Sequence, residues 1–350
     1  METILLLAHP EPDGTLSKAA REALAAAVAL ARDLPDTSLA IGLVAVANAQ
    51  AAADSIAGCG AARFLAVIGD DFATARYSTD AAAAEALVRA AGATLVLAPG
   101  TSRWARCLPG VAQRIGGRAD THATVSVENG APTLTRWYYR QRIEGVSQRA
   151  ARPWFILLDP GTAEPWQGAQ SHATVEQLPV TIDDRLRRTT FAGWRAPRTD
   201  QQTIRPDADL LFVAGAGWTK KQADGQTHLA DAARLILDFL QVAQASLGGS
   251  KSLVDLSGEG QAVLPFMTHL NQVGQTGSTP RHPKGLSTCC HGEEPHVVGW
   301  RFINQRRAIN LDPNCGWAHG KADVLYVADA FTVMEQLITL MARERLAVAH

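Results

Sequence analysis

Along the first 130 residues, short apolar runs alternate with longer alanine-rich stretches, the order expected of β-strands separated by helices around a mainly parallel sheet. Ile4 to Ala8 reads as a first strand, and a Pro/Gly turn at Pro10 to Gly14 leads into a helix near Leu16 to Arg32. Further strands are expected at Leu39 to Val46, Phe64 to Ile68 and Thr94 to Leu97, with helices over Thr79 to Ala91 and Leu108 to Ile115. From Thr121 to about Thr190 the helical period fades. Runs such as Thr133 to Tyr139 and Trp154 to Leu158 read there as added antiparallel strands.

Trp194 to Pro206 is rich in Arg, Pro, Thr and Gln and carries no apolar period, which marks a boundary between domains. The division expected is 1–197 for an N-terminal α/β domain and 198–350 for a second, doubly wound α/β domain. In the second, Asp209 to Ala214 reads as a buried strand running into Gly215-Ala216-Gly217, and His228 to Ala245 as a helix with leucines on one face. Strands are expected at Leu253 to Leu256, Gly285 to Thr288, Ala308 to Asn310 and Val324 to Val327, with a closing amphipathic helix over Phe331 to Leu346.

Composition narrows the class. The 350 residues are 47% apolar, enough for two cores, and 33 Lys+Arg against 34 Asp+Glu leave no charge surplus to favour nucleic acid or an anionic membrane. No apolar run reaches the roughly 18 residues of a membrane span, so direct insertion is not expected. The chain begins Met1-Glu2-Thr3, its first apolar run is too short for a signal peptide, and its five cysteines are an odd count. A reducing cytoplasm is the expectation.

The densest chemistry is Asn271-Gln272-Val273-Gly274-Gln275-Thr276-Gly277, followed by His296 twenty residues after Thr276 and by Asn310-Leu311-Asp312-Pro313 fourteen residues later. Glycines let a backbone come close to a flat ligand, while Gln, Thr and His can bond its polar edge. Asn310 and Asp312 suit vicinal hydroxyls or an exocyclic amine, although N-x-D-P is also an ordinary turn sequence. Cys289, Cys290 and His291 with Cys315 and His319 raise a metal alternative. Adjacent cysteines chelate one ion poorly and no C-x2-C pair is present, so buried cysteines on a strand are the better reading. A G-x-G-x-x-G fingerprint, a nucleophile elbow and a catalytic triad pattern are all absent.

These pieces resemble the FAD-binding domain of electron transfer flavoprotein alpha subunits, which reads Q-V-G-Q-T-G, a His before a small helix, A-I-N-x-D-P and a closing V-A-D. The counterparts are Gln272 to Gly277, His296 to Gly299, Ala308 to Pro313 and Val327-Ala328-Asp329. The family's L-A-P-x-T…L-P-x-V-A recurs as Leu97 to Thr101 and Leu108 to Ala112, and its G-A-S-R-A-A-V-D as Gly248 to Asp255, with Lys251 in place of arginine.

The resemblance implies FAD held by Ser250, Lys251, Gln272, Gly274, Gln275, Thr276, Gly277, His291, Gly292, His296, Asn310, Asp312 and Asp329. Thr276 would lie near the reactive flavin nitrogen, His296 at the pyrimidine end, and Asn310, Asp312 and Asp329 toward the ribose and adenosine. It also implies a beta subunit carrying AMP, a flavin-dependent dehydrogenase as electron donor and a quinone-linked membrane oxidoreductase as acceptor. The chain would then be an electron carrier, with no substrate transformed by the chain itself. The alternative is a flavin-free scaffolding subunit of a dehydrogenase complex. Two departures from the pattern favour it: Ala216 where the family has an arginine, and Glu293-Glu294 where it has a phosphate loop.

Overall fold

The structure is a computed structural model and describes residues 2–138, 143–193, 204–205, 207–256, 263–274, 277–289 and 302–348. The chain divides into two compact units, Met1–Trp194 and Arg195–His350. Both are α/β. Most of the Trp194 to Pro206 boundary segment lies outside the described residues.

The first unit runs β1 (Glu2–Ala8), α1 (Lys18–Asp33), β2 (Thr37–Ala45), α2 (Ala49–Ile56), β3 (Arg63–Ile68), α3 (Tyr77–Ala91), β4 (Leu95–Pro99), α4 (Ser102–Arg114), β5 (Arg118–Glu128), β6 (Ala131–Tyr138), β7 (Ile143–Ser147), β8 (Trp154–Leu158) and β9 (Val175–Gln177). These strands form one sheet in the order β7-β6-β5-β8-β4-β1-β2-β3-β9. Only β5–β6 and β6–β7 pair antiparallel among the described residues; the other neighbours are parallel.

Burial on both faces explains the uninterrupted apolar strands. Ile4, Leu6 and Ala8 pack toward α1 and α2, while Leu5 and Leu7 pack toward α3 and α4, as alternation along a strand requires. One expectation needs correcting. Trp154–Leu158 is not an added antiparallel strand: β8 is inserted between β4 and β5 and runs parallel to both. Its five buried residues are apolar on both faces, the signature of an interior strand.

α4 also starts earlier than its apolar period suggests, because Thr101 accepts the Trp104 backbone N–H and caps the helix six residues upstream of the first apolar pair. The antiparallel ribbon is tied to the parallel core at Asp120. Its carboxylate accepts Arg149 Nε (2.5 Å) and Nη2 (2.9 Å) and the indole Nε1–H of the fully buried Trp154 (2.8 Å).

The second unit runs β10 (Leu210–Ala214), α5 (Leu229–Ala243), β11 (Ser246–Gly249), α6 (Lys251–Asp255), β12 (His282–Cys289), β13 (Ile303–Asn310), α7 (Gly316–Lys321), β14 (Val324–Val327) and α8 (Ala330–Val348). Its sheet is wholly parallel, in the order β11-β10-β12-β13-β14. Phe212 and Ala214 face the core under α5 and α8, and Leu211 and Val213 face a smaller core with Val273, Cys315 and Ala318.

A second expectation also fails. Leu253 to Leu256 is not a strand but the body of the short helix α6 and its end. The strand is Ser246–Gly249, and Ser250 terminates it by accepting the Leu253 N–H (3.2 Å) as an N-cap. Two glycines hid this strand from the apolar pattern.

The Asp120 network carries a stability prediction. Asp120→Ala leaves the Trp154 N–H and the Arg149 guanidinium without their acceptor and is expected to destabilise the first unit by about 2 kcal/mol in urea unfolding. Arg149 holds the Asp120 carboxyl below its ordinary value, so this contribution is present at neutral pH and fades only as pH falls below about 4.

Candidate functional site

In the second sheet β10 is the first strand, yet the chain continues to β11 on one side and β12 on the other. Such a reversal opens a crevice outside the carboxyl ends of the two strands, where ligands of open parallel sheets bind. Gly215-Ala216-Gly217 leaves β10 here as a 3-10 turn, and Thr288 ends the described side-chain path of β12. The sequence-derived candidates arrive at the same edge: Ser250 and Lys251 after β11, Asn310 and Asp312 at the end of β13, and Asp329 after β14.

Gln272 and Gly274 join them by backbone bonding. Val273 N–H donates to the Gly249 carbonyl (3.0 Å), and Gly249 and Gln272 form a parallel bridge beside β11. Glycine eases this approach. A Cβ on Gly248 would stand 2.6 Å from Val273 Cγ2, and one on Gly249 would stand 2.3 Å from Met267 Cε. The loop closes on itself through Gly277 N–H to the Gly274 carbonyl (2.7 Å) and Ser278 N–H to the Gln272 carbonyl (2.9 Å). Gly274 sits at φ +80°, and a Cβ on Gly277 would fall 2.1 Å from the Gln272 carbonyl oxygen. Gln272 itself is buried, with its amide Nε2 donating to the Gly274 carbonyl (3.3 Å). Gln275 and Thr276 lie outside the described residues, as do His291, Gly292, His296 and Glu293-Glu294.

Several candidates shape loops as well as lining the edge. Asn310 is buried and its Oδ1 accepts the Asp312 N–H (3.0 Å); Asp312 Oδ1 accepts the Asn314 N–H (2.8 Å). This is the N-x-D-P turn chemistry, and the turn leaves the end of β13 at the carboxyl edge of the sheet. Asp329 Oδ2 accepts both the N–H and the hydroxyl of Thr332 (2.9 Å each), capping α8. Lys251 is tied to Asp255 on its own helix, and Asp255 Oδ1 accepts His269 Nε2 (2.9 Å). The Lys251 ammonium holds the Asp255 carboxyl below its usual range, with His269 adding to the effect.

No cluster of three His, Cys, Asp or Glu side chains is placed to hold a metal ion among the described residues. Cys315 is buried, and His319 is exposed with Nε2 against the Pro313 carbonyl (2.6 Å). Cys290 and His291 are outside the described residues.

The first unit has a feature that the apolar pattern did not signal. A cavity of about 680 Å³ opens at the carboxyl ends of β1, β2 and β4, lined among others by His9, Ser17, Asn48, Thr101, Arg103 and Trp104. His9 stacks on the buried Trp104 at 4.1 Å between ring centres, and its Nδ1–H donates to the Val44 carbonyl (3.1 Å). Although the ring keeps some accessible surface, its Nε2 is sealed from solvent with no partner. Burial pushes its pKa down to about 3, with the Arg103 charge assisting, so the imidazole is neutral. Arg103 is held by Asp80 (2.6 and 2.9 Å) and the Phe72 carbonyl (2.8 Å). Burial pushes the neighbouring Cys107 thiol up to about 12, which leaves it unreactive as a nucleophile. The only sequence signals were the polar turn after the first strand and the Thr101-Ser102-Arg103-Trp104 helix start.

The electron transfer flavoprotein domain family matches residues 4–183, just over half of the chain, and the chain belongs to that family. The match covers most of the first unit. No curated protein matches the sequence. No helix among the described residues is long and apolar enough to cross a membrane.

Two measurements check this geometry. Gly277→Ala forces the Gln272 carbonyl aside, so it is expected to cost about 1–3 kcal/mol in unfolding and to open the loop to proteolysis. The unfolded chain protonates His9 below about pH 6.5 while the fold refuses that proton until about 3. Stability of the first unit should therefore fall as pH drops through this window, at up to about 1.4 kcal/mol per pH unit from this group. His9→Phe, which keeps the stack on Trp104, should flatten that part of the profile.

Proposed function

We propose that the chain is the alpha subunit of a heterodimeric electron transfer flavoprotein, binding FAD at the carboxyl edge of its second sheet. The observation that carries the reading is that Ser250, Lys251, Gln272, Gly274, Asn310, Asp312 and Asp329 all lie along the carboxyl edge of the second sheet, the edge at which its strand order reverses. Family membership supports electron carriage, and the resemblance in Gln272 to Asp329 supports the alpha assignment.

The donor set fits the group. Amide, hydroxyl and carboxylate side chains, glycine-lined backbone and one lysine are what hydroxyl-rich and phosphate-bearing portions of a dinucleotide require. Gln272, Gly274, Gln275, Thr276 and Gly277 would hold the ring system, with Ser250 and Lys251 beside it. His291 and Gly292 would stand by the pyrophosphate, His296 at the pyrimidine end, and Asn310, Asp312 and Asp329 at the ribose and adenosine. Bound flavin supplies the capacity to take up and release electrons singly or in pairs. The chain contributes position and charge: lysine and histidine near the pyrimidine end favour negative charge there, and the glycine loop admits the ring without a Cβ in its way.

The partners are a beta subunit carrying AMP, a flavin-dependent dehydrogenase that gives electrons, and a quinone-linked membrane oxidoreductase that takes them, all met from the cytoplasm. The Lys251–Asp255 pair and the lack of an arginine at Ala216 favour a second reading, a flavin-free scaffold, because both reduce the positive charge offered to a flavin.

The test is the absorption spectrum and extracted flavin content of the full chain co-purified with its beta subunit. About one FAD per heterodimer is expected, with Asn310→Ala weakening FAD binding roughly tenfold, the loss of one well-placed hydrogen bond. A stable heterodimer that stays colourless after incubation with FAD would sink the reading and leave the scaffold.

A further inference from the structure

We infer that Asp255 and His269 form a restraint that holds the Lys251 ammonium back on its own helix, so that its pull on a reduced, anionic flavin is attenuated. The inference rests on the FAD reading above. Lys251 begins α6 at the carboxyl end of β11, next to Ser250, and the neighbouring carboxylate of Asp255 one turn later takes its ammonium. Both partners keep part of their side chains in solvent. An exposed i,i+4 pair of this kind is ordinarily weak and exchanges easily.

What sets this one apart is the occupation of the second carboxylate oxygen. His269 Nε2–H donates to Asp255 Oδ1 at 2.9 Å, so the carboxylate is held from two sides. His269 opens a 3-10 turn that is itself fixed. Thr268 caps it, and Asn271 Oδ1 accepts the Thr268 N–H (3.1 Å). The turn passes directly into Gln272 and Val273, whose backbone bonds Gly249. The side-chain bridge from α6 to His269 therefore joins the two sequence arms of the candidate site. These arms are the β11–α6 corner and the 269–278 loop, already joined by backbone at Gly249 and Val273.

Lysine makes this consequential. Its ammonium is a point charge on a long flexible stem, so its place is set by whatever bonds it. A carboxylate that is itself fixed keeps the charge paired and short of the crevice. With the restraint cut, the stem is free to bring an unpaired positive charge toward the flavin. Asp255 is thus a positioning residue acting through Lys251, and His269 fixes Asp255.

Two readouts separate this inference from the reading beneath it. In the flavin-stripped full-length protein, the rate at which an amine-acylating reagent modifies Lys251, followed by peptide mass spectrometry, is expected to rise roughly two- to fivefold in Asp255→Asn and by a smaller factor in His269→Gln. Unchanged rates in both variants overturn the restraint. In the flavin-loaded protein, Asp255→Asn is expected to tighten reduced FAD relative to oxidised FAD by a similar factor, and to change that ratio no further in a Lys251→Met background. An equal effect in the Lys251→Met background means that Asp255 acts by direct repulsion and overturns the inference alone. A chain that takes up no FAD in any form overturns the functional reading and this inference with it.

Discussion

The second unit depends on the close approach of two backbones at Gly248 and Gly249. Strand β11 ends in these residues, and the loop that carries Gln272 and Gly274 lies against them through the Val273 N–H to Gly249 carbonyl bond. A Cβ on Gly248 would stand 2.6 Å from Val273 Cγ2 and press on the loop, whereas one on Gly249 would meet the flexible end of Met267. That contact brings the Gln272–Val273 segment, well downstream of β11, back to the carboxyl edge of the sheet. With it in place, the edge presents glycine backbone and polar side chains at the reversal of strand order. Without it, Gln272 and Gly274 would lose their register to the edge at which Ser250, Lys251, Asn310, Asp312 and Asp329 end their strands.

The two units use one architectural device twice. Each has a wholly or mainly parallel sheet whose first strand has neighbours on both sides, reached by chain leaving in opposite directions, and each gathers polar side chains at its carboxyl edge. In the first unit the gathering is built on His9, neutral and stacked on Trp104, with Arg103 committed to Asp80. In the second it is built on glycine loops and on side chains that cap and turn the chain at the strand ends. Ser250, Asn310, Asp312 and Asp329 all bond backbone N–H groups in this way. Their intramolecular work fixes the shape of the edge.

Long apolar strands and the amphipathic helices were legible in the sequence because both faces of the first sheet are covered, so an interior strand is apolar throughout: β1, β4 and β8 are recognisable from Ile4, Leu95 and Trp154 onward. Short or glycine-bearing elements were not. Ser246–Gly249 has one leucine to show for a strand, and Leu253-Val254 mimics one while folding as a helix under a serine cap. Direction was also hidden, since an apolar run carries no mark of parallel or antiparallel pairing, and β8 joins the parallel core by topology alone. At the candidate site the spacing of Gln272, Asn310 and Asp329 was readable, but the Lys251–Asp255–His269 bridge was not, because it joins residues across a stretch with no periodic pattern. The His9 cavity was equally silent, being assembled from the ends of three strands.

The central claim is that the carboxyl edge of the second sheet is the cofactor site, and amide hydrogen exchange of the full chain with and without FAD tests it most directly. Slowed exchange on FAD addition at Gly249 to Leu253, Gln272 to Ser278 and Asn310 to Asn314, with the first unit unchanged, is the result the account predicts. Protection confined to the strand ends around His9 and Thr101, or no protection anywhere at saturating FAD, would contradict it.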